Sequence, residues 1–322
     1  MRVLLLQGYG RSLSYSSGSI VVREKGRTLA RYSPSELDQI VVMGNVAITS
    51  KAIRALSDYG CDVIFISWNG QLYARLSFPE MRTVATRRQQ YIAYGDERGS
   101  YIAKEVLRAK LRNEYYYLMT VQKLSDGEKA GEIEAYRTQI RDSLDKLDLM
   151  GGKLEDIRES LLGVEGEAAR AYFEAISKYL PDGVFEFRSG RGAEDPVNSM
   201  LNYGYAVLMG AIWKAVHMAG LDPYAGYLHV DRPGKPSLVL DIMEMYRTQA
   251  VDRVVFSFVK EKLPEGDWRI EVASRVIKRL SEKVPYSGIR TEMSQTAVMV
   301  ARNIASFLRG ERGSFEGFYL SW

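Results

Sequence analysis

Two patterns of apolar residues run along the chain and meet near residue 82. Before it, short runs rich in β-branched and aromatic residues at 3–7, 20–23, 28–32, 39–43, 63–67 and 71–76 are separated by Gly, Ser, Asn and Pro, as strands between turns would be. Trp68-Asn69-Gly70-Gln71 joins the last two runs, and Asn-Gly accepts the positive φ angles of a type I′ hairpin turn. Thr49 or Ser50 can cap a helix running to about Tyr59, with Gly60 as its stop. The pattern predicts a small β-sandwich-like domain with one helix over residues 1–81.

From Arg82 the periodicity turns helical. A basic connector over 82–95, carrying Arg82, Arg87 and Arg88, is expected to lead into a larger all-α domain over 96–322. Gly151-Gly152 breaks the chain before a helix that carries Ile157, Leu161, Leu162, Ala168, Ala169, Tyr172, Phe173 and Ile176, and Pro181-Asp182-Gly183 ends it. Residues 187–198 read as a loop, and 201–218 as an apolar helix suited to the middle of a bundle. The fold class expected is therefore α+β.

The 322 residues exceed the roughly 250–300 at which single cores stop growing, which fits two domains. One cysteine, Cys61, excludes an internal disulfide and a cysteine-based zinc site. The apolar run after Met1 is too short for a signal peptide, and no stretch approaches the roughly 20 apolar residues of a membrane span, so a soluble, cytoplasmic protein is expected. Net charge is only +4 but uneven: residues 1–94 carry 12 Lys plus Arg against 6 acids, and 95–322 carry 32 against 34. Nucleic-acid binding would rest on local basic patches.

Candidate chemistry concentrates in 226–247, where His229, one of two histidines, lies a short loop before Asp241 and Glu244. The two acids share a helical face at i,i+3, and Arg232 and Lys235 lie between them and the histidine. Divalent ions in phosphoryl transfer are held by one or two carboxylates, sometimes an imidazole, and the phosphate itself, so a third protein ligand should come from elsewhere. Glu165, flanked by Gly163 and Gly166, is the best candidate, because backbone or nucleic acid can approach it closely. Taken alone, each residue has a bland reading: a solvated helix acid, a structural histidine, a capped apolar helix. His217, at a helix C-terminus, is assigned no chemistry. Arg188 and Arg191, in a glycine-containing loop, would grip phosphates or pair with Glu194 and Asp195, and Asn198 would position the site. Tyr172, Tyr203 and Tyr205 read as core residues with polar tips, with stacking of one of them on a splayed base the other reading.

Three segments together resemble a known family, the CRISPR-associated integrase and endonuclease that captures new spacers, the first-numbered Cas protein. They are Gly163-Val164-Glu165-Gly166 with Ala168-Ala169-Arg170; Arg188 to Asn198 running into Leu201-Asn202-Tyr203-Gly204-Tyr205; and Gly226-Tyr227-Leu228-His229 followed by Leu240 to Arg247. The resemblance implies that Glu165, His229 and Glu244 bind Mg2+ or Mn2+, with Asp241 a further acid of the site. Arg170, Arg188, Arg191, Asn198, Arg232, Lys235 and Arg247 become candidates for DNA contact or site support. His229 is assigned as a ligand, with general acid–base chemistry the other role open to it. The implied reaction is attack of a 3′-hydroxyl on a phosphodiester at the edge of a CRISPR repeat, with hydrolysis of branched or nicked DNA at the same site. The implied assembly is a homodimer built through the β-rich domain, two such dimers joining a dimer of the small ferredoxin-like second Cas protein as a heterohexamer. A related mobile-element integrase and a non-catalytic DNA-binding scaffold are the alternatives. A second basic set, Arg269, Arg275, Lys278, Arg279, Lys283 and Arg290, is a solvated helix face by default and a duplex-tracking face in an integrase.

Overall fold

The computed structural model describes residues 3–76, 84–189, 195–261 and 267–321; Arg82, Arg191 and Glu194 lie outside them. The N-terminal strands form two four-stranded sheets. The first has the order β1 (Val3–Gln7), β5 (Gln39–Met43), β7 (Asp62–Ile66) and β8 (Leu72–Leu76), with β1, β5 and β7 parallel and β8 antiparallel to β7. The second has the order β4 (Arg27–Tyr32), β3 (Ser19–Glu24), β2 (Arg11–Ser16) and β6 (Val46–Ile48). Leu6, Ile40, Val42 and Val63 from one sheet meet Leu13, Ile20 and Val22 from the other, together with Ala52 and Leu56 of helix α1 (Ser50–Asp58). Thr49 caps that helix, its Oγ1 accepting from Ala52 N at 3.3 Å.

Strands β2 and β6 carried too little apolar signal to be expected. β2 reads Arg-Ser-Leu-Ser-Tyr-Ser and buries only Leu13 outright, while β6 has three residues; pairing on both sides of β2, with β3 and β6, makes them strands. The Asn69-Gly70 turn also differs from expectation. Among its residues only Gly70 has positive φ, +77°, with Gly70 N donating to Ser67 O at 3.0 Å and Ser67 N to Gln71 O at 2.8 Å. That is an ordinary turn closed by a left-handed glycine, since a type I′ turn needs positive φ at both central residues.

Helices α2 (Val84–Ala93), α3 (Glu97–Lys123), α4 (Gly127–Leu149), α5 (Leu154–Tyr179), α6 (Pro196–Met218), α7 (Ser237–Glu244), α8 (Arg253–Glu261), α9 (Arg269–Ser281) and α10 (Met293–Leu308) make up most of the remainder. Arg87 and Arg88 of the expected connector are residues of α2. The C-terminal part is not wholly helical: β9 (Lys283–Tyr286) and β10 (Ile289–Glu292) pair antiparallel. Their turn is Ser287-Gly288, where φ is +48° and +79°, and this two-residue link with both angles positive was the missed hairpin signal. Helix α6 begins at Pro196, earlier than the loop expected over 187–198 allowed, because Asp195 accepts from Asn198 N at 2.8 Å as its cap and Pro196 sits in its first turn. No helix among the described residues is long and apolar enough to cross a membrane.

The first sheet is apolar on both faces. Ile40 and Val42 of β5 enter the core between the sheets, whereas Val41 and Met43, with Ile64 and Ile66 of β7, join the core of the helices. α6 lies against that second face so closely that a Cβ on Gly210 would stand 2.4 Å from Ile64 Cδ1. The β7–β8 turn touches the same helix, since a Cβ on Gly70 would stand 3.1 Å from Tyr203 Cα. Gly70→Ala should therefore cost about 1–2 kcal/mol from the left-handed backbone alone. Asn69→Ala, at a position with ordinary φ, should cost much less; urea unfolding of both variants checks the turn type.

Candidate active site

The loop between α6 and α7 can reach α7 because residue 226 is glycine. A Cβ there would stand 2.6 Å from Ser237 Cβ and 2.9 Å from Asp241 Oδ2. The approach lets the fully buried Asp241 accept from the backbone N–H groups of Tyr227 (2.6 Å), Leu228 (3.0 Å) and His229 (3.0 Å). His229 Nδ1 lies 2.7 Å from Asp241 Oδ1. A carboxylate so placed accepts a hydrogen bond from Nδ1–H and keeps the proton on that nitrogen, which leaves the lone pair on Nε2, 3.9 Å from Glu244 Oε1.

Glu165 comes from the middle of α5, with its neighbours Val164 and Ala168 buried. Cβ atoms added at Gly163 and Gly166 would meet nothing within 4 Å, so the helix is bare beside the glutamate although glycine costs a helix about 1 kcal/mol relative to alanine. Opposite, α3 presents Lys110, whose Nζ pairs with Glu165 Oε1 and stands 2.9 Å from Glu244 Oε2. Arg247 adds an ion pair to Glu244 Oε1 at 3.0 Å. Burial pushes the Glu244 carboxyl up, but Arg247, then Lys110 and His229, outweigh it and hold it down at about 2. Glu114, one turn beyond Lys110, is buried, and its carboxyl is pushed up to about 8 against the pull of Lys110.

Glu165, His229 and Glu244 thus face one another from α5, a loop and α7. Among the described residues no three acid, histidine or cysteine side chains form a ready metal cage as they stand, because the Lys110 ammonium lies between the two glutamates. The donor set nonetheless fits a hard divalent ion. Glu244 Oε2 is buried without an aligned hydrogen bond, His229 Nε2 holds a lone pair, and Glu165 is a second carboxylate.

Supporting residues fall into two groups. A π-helical turn, Thr248–Asp252, follows Glu244 closely and brings round the buried Asp252, which accepts from Tyr205 Oη at 2.6 Å and Tyr172 Oη at 3.0 Å. Tyr205 in turn carries the guanidinium groups of Arg247 and Arg188 over its ring, at 4.6 and 5.5 Å. Of its two candidate acid partners only Asp195 is among the described residues, and Arg188 forms no ion pair with it. It donates to Asn198 Oδ1 (2.8 Å) and Asn202 Oδ1 (2.7 Å), and Asn198 Nδ2 donates to Asp195. The second group lines a cleft of about 1270 Å3 beside the acids, where Arg75, Arg188, Arg232, Lys235, Arg247 and Arg269 alternate with Trp68, Tyr73, Tyr205, Trp213, Tyr224 and Trp268. No acid is among the described residues lining it. Arg170 points to solvent on α5. On α9, Arg275 is tied to Glu261 and Glu271, which fits the solvated-face reading, whereas Arg279, its side chain only 15% exposed, is held inward by Gln249 O and Glu282.

Lys110, Asn113, Glu114 and Asp252 went unrecognised in the sequence. A signal for the first three was present: along α3 they interrupt a stripe otherwise made of Val106, Leu107, Tyr117, Leu118 and Val121, and polar residues on a buried helical face need partners. Asp252 gave no such signal, since the π-helical turn shifts the faces after Arg247.

Converging carboxylates and an oriented imidazole beside a basic cleft, in a mainly helical protein that opens on two sheets, are the equipment of a protein that handles phosphodiesters. The chain belongs to the Cas1 family: the model for CRISPR associated protein Cas1 matches residues 4–283. CRISPR-associated endonuclease Cas1 1 of Archaeoglobus fulgidus is 39% identical over 345 residues, covering 99% of each chain. Among solved structures, a casposase bound to integration product superposes with TM-score 0.84 at 25% identity, covering 98% of this chain and 93% of that one. A Cas6-RT-Cas1–Cas2 complex gives TM-score 0.80 at 18% identity over 98% of this chain and 36% of that one, a likeness of fold.

Glu114 supplies a pH test of the buried cluster. Its folded carboxyl lies near 8 against an ordinary 4.5, so the stability it contributes is full below 4.5 and is lost as pH rises through about 8. Urea unfolding at a series of pH values should show Glu114→Gln flattening that decline; an unchanged slope would remove Glu114 as its source.

Proposed function

We infer that the protein is the integrase and endonuclease of spacer capture, joining short DNA to a CRISPR array and cleaving branched DNA at the same site. The observation that carries this reading is the convergence of Glu165, His229 and Glu244 from three separate segments, with Arg247, the ion-pair partner of Glu244, lining a neighbouring cleft of cations and aromatic rings. Arg232, Lys235, Arg188 and Arg269 would hold phosphates, and the aromatic side chains between them would take unpaired bases. The bare face at Gly163 and Gly166 would let a sugar–phosphate backbone reach Glu165.

Glu165, His229 and Glu244 would hold Mg2+ or Mn2+. When bound, the ion polarises the scissile phosphate and lowers the pKa of the attacking hydroxyl. Asp241 fixes the His229 ring and its tautomer, and Arg247 neutralises Glu244 from the outer side. Each strand transfer exchanges one phosphodiester for another, with the 3′-hydroxyl as nucleophile and a strand end as leaving group, and water in place of the hydroxyl gives hydrolysis. The β-rich part would form the homodimer, where edge strand β4 exposes Leu29 at 51%, and the small second Cas protein would bridge two dimers. The division into 1–81, 82–95 and 96–322 belongs to the same reading.

Three outcomes are expected with purified protein, labelled short duplexes, a repeat-bearing plasmid and the small partner. His229→Ala should lose strand transfer and cleavage by a factor of at least about 100 with duplex affinity retained, whereas His217→Ala stays active. Glu244→Gln should lose more than Asp241→Asn under Mn2+, because Asp241 acts through the imidazole. Gly166→Ala should raise stability by about 1 kcal/mol, as alanine favours the helix, and should slow cleavage by obstructing the approach of a DNA backbone to Glu165. Strand transfer that survives EDTA would overturn the metal mechanism.

A further inference from the structure

The centre of the site is held by a residue outside the proposed ligand set. Lys110 reaches in from α3 with its side chain 8% exposed, and its Nζ pairs with Glu165 Oε1 and stands 2.9 Å from Glu244 Oε2. An ammonium within hydrogen-bond reach of both carboxylates fills the volume in which an ion shared by them would stand. The same helix offers that ammonium a second place. Glu114, at i+4, is buried, and its Oε2 has no hydrogen-bond partner among the described residues.

We propose that Lys110 is an internal competitor for the metal: its ammonium holds Glu165 and Glu244 together in the metal-free protein, and a divalent cation enters by exchange as the ammonium turns toward Glu114. The inference rests on reading Glu165, His229 and Glu244 as a metal site. Exchange means that the buried Glu244 and the half-buried Glu165 never face each other without a cation between them, at the expense of affinity, since the ion must displace a formed ion pair. Lys110 is thus a positioning residue. It presets the ligand geometry and sets how tightly the metal is held.

The test measures Mn2+ binding, by the electron paramagnetic resonance of the free ion, and the melting temperature of metal-free protein, for the wild type, Lys110→Met, Lys110→Arg and Glu165→Gln. Methionine keeps the bulk and removes the competitor, so metal-free Lys110→Met should melt lower while binding Mn2+ about tenfold more tightly, with a larger Mn2+-induced rise in melting temperature. Arginine keeps the charge and grips carboxylates through a rigid fork, so Lys110→Arg should fold and bind Mn2+ more weakly than wild type. A merely structural lysine would weaken binding in both variants. If Glu165→Gln abolishes Mn2+ binding but Lys110→Met binds no more tightly than wild type, or Lys110→Arg binds as tightly, the exchange is overturned and the metal reading stands. Should Lys110→Met not fold, Lys110→Arg alone decides. Mn2+ binding indifferent to Glu165→Gln, or absent from every protein, overturns the metal reading and the exchange with it.

Discussion

Two glutamates brought together inside a protein repel one another and lose their hydration, so a fold that converges Glu165 and Glu244 must supply positive charge of its own. Lys110 and Arg247 do this, at 2.9 and 3.0 Å from the two oxygens of Glu244. At an effective dielectric of about 20, unit charges some 4 Å apart interact by roughly 4 kcal/mol, comparable with the several kcal/mol lost on burying each ion. The long helix α3 is the beam that carries this balance. Its Asn113 donates to Met245 O, just past Glu244, and to Phe318 O, and accepts from Leu320 N, so the C-terminal segment, α7 and the lysine are fixed relative to one another.

The histidine arm is built on different physics. Three backbone N–H groups and an imidazole converge on Asp241, which is rigid because it is fully buried and because Gly226 lets the loop close over it. His229 can then keep one ring nitrogen free with little motion left to lose. The basic cleft, by contrast, is made of side chains at its surface: Arg232 is exposed in a turn closed by Lys235 N to Arg232 O at 2.9 Å, with Gly234 at φ +76°. Stiff chemistry beside adaptable phosphate contacts is an arrangement suited to a substrate that is uniform in backbone and variable in sequence.

Much of this was legible in the chain itself. Glu165, His229, Asp241 and Glu244 were singled out as candidates by residue type and family likeness, and the fold brings them near one another, while strands β1 and β5 were bounded correctly. What escaped had physical reasons. β2 is a strand by virtue of its neighbours rather than its serine-rich sequence, and the Ser287-Gly288 hairpin is too short to disturb a helical period. Asn69-Gly70 suggested a type I′ turn, but the five-residue link, Ser67 to Gln71, relieves Asn69 of any need for positive φ. Lys110 lay hidden because a lysine in a long helix is ordinarily solvated, and its partners are 55 and 134 residues away.

The first sheet, apolar on both faces, has a consequence for how the chain can be divided. Val41, Met43, Ile64 and Ile66 belong to the helical core as fully as Ile40, Val42 and Val63 belong to the sandwich. Splitting the protein near residue 82 would strip α6 of its cover and leave each fragment with an apolar face in water, a surface prone to self-association. The two halves are accordingly coupled as an arch is to its keystone, so damage to a buried strand residue far from Glu165 would reach the site through lost cohesion rather than altered chemistry.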